Sequence, residues 1–225
     1  MRKWGIIITL FYALIVVGLL FPFATLLGTD DRLFSEGFQE SLRWVYGFMG
    51  SWILFAVVVS GQAILIFLSV DTSFKRRKPR AHIAVSCIAI SMLFALLIFS
   101  AVYSVDDAIK NSTFVDQYLS SATQVICFCA FLWLVWGILF YLYLRNSTNV
   151  TTRLISWLLK GSVLELLIAI PCHVIVRRRD ECTAPAVTSF GIITGIAVML
   201  LCFGPSVLLL YKKRIDAYGA HNTKQ

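Results

Sequence analysis

Hydrophobic positions in this 225-residue chain form long unbroken runs, not the alternating or three-and-four spacing of a water-soluble fold. A helix crossing a bilayer needs about 20 mainly apolar residues, since each adds about 1.5 Å across a hydrocarbon core about 30 Å thick. Gly5–Leu27, Trp44–Val70, Ile83–Val105, Ala122–Leu144 and Ala184–Tyr211 satisfy this without any Asp, Glu, Lys or Arg. A further segment, Leu154–Val176, has the length but carries Lys160 and Glu165. The pattern predicts an all-α polytopic membrane helix bundle, six transmembrane helices in one domain. Arg2 and Lys3 ahead of the first run resemble the start of a signal peptide. That run is longer than a signal core, however, and no clean small-x-small cleavage site follows Phe23, so it reads as a true span.

Composition strengthens this reading. Hydrophobic residues make up 59% of the chain and charged ones 14%, where a soluble domain carries roughly half and a quarter. There is too little polar surface to solvate a globule. The net charge of +8 raises the question of nucleic acid. The basic residues, however, sit in short clusters between apolar runs and build no basic face, so no nucleic-acid partner is expected. They fit topology signals that also attract lipid headgroups, which makes membrane lipid the expected partner. With the N-terminus inside, Arg2 and Lys3, Lys75–Arg80, Arg145 with Arg153, and Lys212–Arg214 are cytoplasmic, and the acids Asp30, Asp31, Glu36, Glu40, Asp106, Asp107 and Asp116 lie outside. Both termini are therefore expected in the cytoplasm of a cell (inner or plasma) membrane. Arg177, Arg178 and Arg179 break the rule by falling outside, which suggests that they have a task there.

Glu165 stands at the centre of the fifth span, where an ionised side chain costs about 2.5–3.5 kcal/mol on insertion scales. Leu158, Gly161, Ser162, Ile168, Ala169 and Cys172 share its helical face at spacings of three, four and seven. That stripe is small or weakly polar, so it is expected to face protein. Lys160 points to the other side and reaches for the headgroups. A carboxyl so placed suits a proton or cation relay; it could equally be a hydrogen-bonded core group holding helices together.

The run Pro171-Cys172-His173 to Arg177-Arg178-Arg179-Asp180-Glu181-Cys182 is the second candidate. Pro171 removes a backbone hydrogen bond and is expected to kink the helix. Cys172 and Cys182 could close a disulfide on an oxidising face, act as a thiol pair, or join His173 in a soft metal site. The spacing matches neither CxxC nor HxxxH, and no cofactor is implied. The arginines could bind an anion, a lipid phosphate or a partner's carboxylate.

Other features carry less. Cys127 and Cys129 diverge by about 200° on a helix, and with Cys87 and Cys202 they read as small buried hydrophobes. His82 and His173 fall at opposite faces, which argues against haem. Gly191-Ile-Ile-Thr-Gly195 is a small-xxx-small seam through which a second copy or a membrane partner could dock, and Gly204-Pro205 bends the same helix. Asn111-Ser-Thr in an outer loop is a glycosylation acceptor only in a eukaryotic secretory route. No signature of a membrane enzyme occurs. The expectation is a small transporter- or channel-like protein with an intramembrane carboxylate site at Glu165, Ser162 and the arginine triplet. A non-catalytic assembly subunit and a thiol or metal protein are the alternatives.

Overall fold

The computed structural model describes residues 2–28, 43, 46–47, 49–70, 80–109, 121–145, 150–179, 188–204 and 206–207. Among these residues the elements are helical and no strand occurs. Arg2–Ile15, a π-helical stretch at Val16–Leu20 and Phe21–Gly28 follow one another as α1. The remaining helices are α2 (Met49–Val70), α3 (Arg80–Ala108), α4 (Ala122–Leu144), α5 (Val150–Arg177) and α6 (Thr188–Gly204).

Four of these helices are long and apolar enough to cross a membrane: Gly5–Ala24 within α1, Ile83–Ala108, Thr123–Leu144 and Thr152–Arg177. They point to a membrane-embedded protein. The shorter apolar stretches Ser51–Phe67 and Thr188–Gly204 belong to α2 and α6. The expected sixth span extends past Gly204 through Pro205 to Tyr211, largely outside the described residues. Thr152–Arg177 is the least apolar of the four, as Lys160 and Glu165 in its interior dictate. Pro171 lies inside α5, which continues through it to Arg177.

Burial divides the helices by role. Half of the apolar stretch of α3 is buried, against 6% of that of α4. Ile126, Phe131, Leu134 and Ile138 on α4 are exposed. A contiguous patch of that kind is unsustainable in water, where exposed apolar patches rarely exceed a few hundred Å², but natural against lipid. The start of α4 is fixed by a capping box: Gln124 N donates to Ser121 Oγ at 3.3 Å, and Ser121 N donates to Gln124 Oε1 at 3.1 Å.

α3 is the central element, packed chiefly on α4 and α5. Its Phe94 ring presses on Gly161 of α5 and stacks on α4, with centroids 4.6 Å from Trp136 and 5.6 Å from Phe140. Ring centroids 4.5–7 Å apart fall in the favourable range for offset and edge-on pairs. The Trp133 indole N–H donates to Ile88 O at 3.1 Å. On the other side, Tyr12 of α1 donates to Ala197 O of α6 at 2.7 Å. Tyr46 donates to Val17 O at 2.6 Å, inside the π-helical stretch, where the ordinary ladder is interrupted and a carbonyl is open to an outside donor.

The pairings fix helix directions. Gly161 meets Phe94, Glu165 meets Ser100, and Arg179 meets Asp107 and Ala108, so α3 and α5 run parallel. Gly137 lies against Ser91 and Phe128 against Phe99, so α4 runs back between them in the chain. Thr188 meets His173 and Gly195 meets Glu165, so α6 is antiparallel to α5.

Candidate functional site

α5 presents one buried stripe: Val150, Leu154, Ile155, Leu158, Ser162, Glu165, Ala169, Cys172, His173 and Val176. The steps of three and four make this a single helical face, and the face includes the carboxylate. Glu165 is 2% exposed. Lys160, on the opposite side, is exposed and lies over the Trp157 ring, its Nζ 5.9 Å from the centroid. It gives Glu165 no counter-charge.

Two helices close around the carboxylate. From α3, Ser100 Oγ donates to Glu165 Oε1 at 2.7 Å. From α6, Gly195 lies so close that a Cβ there would overlap Glu165 Oε2 and stand 2.9 Å from Leu166. A Cβ on Gly191 would stand 2.7 Å from Ser104 Oγ, 3.0 Å from Ser100 Oγ and 3.6 Å from Glu165 Oε1. Three side-chain oxygens therefore converge on one glycine, and only the lack of side chains on α6 lets the helices approach so closely.

The hydrogen bonds are incomplete. Glu165 Oε2, Ser104 Oγ and His173 Nε2 are buried with no partner among the described residues. Buried polar atoms are satisfied in the great majority of cases, so unmet ones mark strain, an unseen water or function. His173 is bonded on its other side, Nδ1 to Thr188 Oγ1 at 2.8 Å. Thr188, Gly191 and Gly195 lie on one face of α6, at spacings of three and four. That face meets His173, then Ser104 and Ser100, then Glu165.

The remaining expected site residues separate. Ser162 is buried on the Glu165 face, but its hydroxyl donates to Leu159 O at 2.9 Å, within its own helix. The arginine triplet is not one cluster. Arg177 and Arg178 are exposed, whereas Arg179 turns inward and donates to Asp107 O at 3.2 Å and Ala108 O at 2.5 Å. Those are terminal carbonyls of α3, which carry the negative end of its dipole, so Arg179 ties the ends of α3 and α5 together. Cys172 is a buried free thiol. Among the described residues no two cysteines lie at disulfide distance, and no three metal-ligating side chains gather. Cys182 lies outside the described residues. Gly191 and Gly195 are buried within the chain's own bundle.

Ser100 and Ser104 were not singled out from sequence. Their spacing of four in an otherwise apolar span was the available signal. Thr188 had no such signal.

No family model matches the chain, no curated protein matches it, and no solved structure matches it.

Proposed function

We propose that this chain is a six-span, transporter- or channel-like protein of a cell (inner or plasma) membrane, with both termini cytoplasmic and Glu165 as its intramembrane relay. The alternating helix directions support the six-span arrangement. Gly5 of α1, Ile66 of α2 and Gly204 of α6 approach one another at one end of the bundle, opposite Arg179. This fits two termini on a common side.

One observation carries the functional reading: Glu165 holds Ser100 with one oxygen and turns the other, unpartnered, against Gly195. A buried charge left without a partner costs about 3–5 kcal/mol. Whenever this carboxylate is ionised, the seam therefore calls for a cation. Gly195 sits too close to Oε2 to leave room beside it for a hydrated ion, which favours the smallest cation, the proton. A purely structural carboxyl would be expected to satisfy both oxygens.

The test is proton flux into vesicles reconstituted with the full chain, read by an entrapped pH-sensitive dye under an imposed potential. Losing an acid–base group typically costs about 10²–10⁴-fold, so Glu165→Gln is expected to reduce flux to the level of empty vesicles. Flux equal to the unaltered protein would remove the reading.

A further inference from the structure

The seam between α3, α5 and α6 differs on its two sides of Glu165. Towards Arg179 it holds Ser104, His173 and Thr188, and two of its polar atoms, Ser104 Oγ and His173 Nε2, lack partners although their residues are 1% and 6% exposed. Towards Leu154 the same three helices meet through Leu97, Leu158 and Val198, all buried, with Phe94 seated on Gly161. Ser162, the buried hydroxyl on that side of α5, is satisfied by its own backbone.

Resting on the reading of Glu165 as a relay, we infer that in this packing its carboxyl exchanges protons directly with one side, the Arg179 end of the bundle, through Ser104 and His173. Exchange with the other side, which net flux requires, waits on a slower opening of the Leu154-side packing. The path is short. From Gly195 to Gly191 to Thr188 the rise along α6 is about 6 Å and then about 4.5 Å, and each step can be spanned by one bridging water. A proton leaving Oε2 passes by way of the Ser104 hydroxyl to Nε2 of His173. When Nδ1–H donates to Thr188, Nε2 carries a lone pair and can accept that proton. The imidazolium then releases it to water at the helix ends. On the Leu154 side no buried polar atom of α3, α5 or α6 among the described residues lacks a partner. The unpartnered Oε1 of Gln62 on α2, beside Gly204, belongs to an amide that does not titrate. The Phe94–Trp136–Phe140 stack backs the seal.

The charged and titratable groups around the path are few. Cys172 and Arg177 flank His173 on α5, and Asp106, Asp107 and Arg179 stand at the mouth; α6 contributes only hydroxyls and glycine there.

The experiment is infrared spectroscopy of the full chain in vesicles sorted by orientation, with the pH of one bath stepped at a time. The Glu165 band is the carboxyl stretch that Glu165→Gln abolishes, and sidedness is read from an impermeant thiol reagent on Arg178→Cys. The band is expected to follow the bath at the Arg178 side at once and the other only at the slower rate of net flux. His173→Gln keeps a hydrogen-bonding group for Thr188 but cannot carry a proton, and is expected to slow the response about tenfold or more with the band and the helical content unchanged. A faster response to the opposite bath, an equally fast response to both, or wild-type exchange in His173→Gln overturns the one-sided path. A carboxyl band that answers neither bath overturns the path and the relay reading together.

Discussion

The two halves of the α3–α5–α6 seam are made from the same three helices, yet they solve packing in opposite ways. Towards the Leu154 end, side chains interlock: Phe94 fits against Gly161, and Leu93, Leu97, Leu158 and Leu201 are at most 2% exposed. Towards the Arg179 end, backbone glycines are brought up to oxygen atoms, and three polar atoms from Glu165, Ser104 and His173 remain unsatisfied. The first half maximises dispersion and, among the described residues, leaves no buried polar atom of the three helices without a partner. The second gives up hydrogen-bond energy that small side-chain changes could recover. A helix bundle that needed only stability would have extended the first pattern along its whole length. The difference supports the proposal that function lies in the half that is less well satisfied.

The sharpest way to break this contrast is to damage the sealed half. Phe94→Ala removes a buried ring and should cost about 3–5 kcal/mol, measured by reversible denaturant unfolding in detergent. In vesicles the same variant should also speed the response of the Glu165 band to the bath at the Leu154 side. A variant that is destabilised but leaves that response as slow as in the unaltered protein would show that the seal lies elsewhere.

Gly195→Ala acts on the polar half. Its added Cβ would overlap Glu165 Oε2 and crowd Leu166, an overpacking expected to cost about 1–3 kcal/mol. Because the carboxylate must swing away to make room, proton flux should fall more than stability alone explains. Gly18→Ala is the matched control. Among the described residues nothing lies within 4 Å of a Cβ at Gly18, so flux should not change and unfolding should change little.

Much of this arrangement could be read from the sequence, and the unread part has a physical reason. The stripe Ser162–Glu165–Ala169–Cys172 was legible because residues three and four apart share a helical face whatever surrounds them. The exposure of Lys160 followed from the same periodicity. The seam Gly191–Gly195 was legible as a place of close approach, but not what approaches it. Ser100 reaches Glu165 across 65 positions of chain, and no local pattern encodes which helix lies opposite. The arginine triplet was misread as a unit for a similar reason. Arg179 binds backbone carbonyls of α3, and main-chain acceptors leave no trace in side-chain sequence. Pro171, expected to kink α5, lies within a helix that continues through it to 28 residues; one missing donor does not end a helix packed along its length.

The smallest expected difference separates two neighbouring arginines. Arg179→Ala removes two charge-assisted hydrogen bonds to the end of α3 and should cost about 1–2 kcal/mol, towards the lower part of the usual range because the site is only partly buried. Arg178→Ala, at an exposed position, should fall within about 0.5 kcal/mol of the unaltered protein. Equal effects in thermal melts would mean that the link between the ends of α3 and α5 adds nothing.

Everything assigned to Glu165 requires that α5 cross the bilayer. Arg153 and Arg178 are exposed near its two ends, so single cysteines at these positions, probed with an impermeant thiol reagent in sealed vesicles, report on this directly. The expected result is labelling of Arg153→Cys from one side and of Arg178→Cys from the other. Labelling of both from the same side would contradict a transmembrane α5 and take Glu165 out of the middle of the membrane.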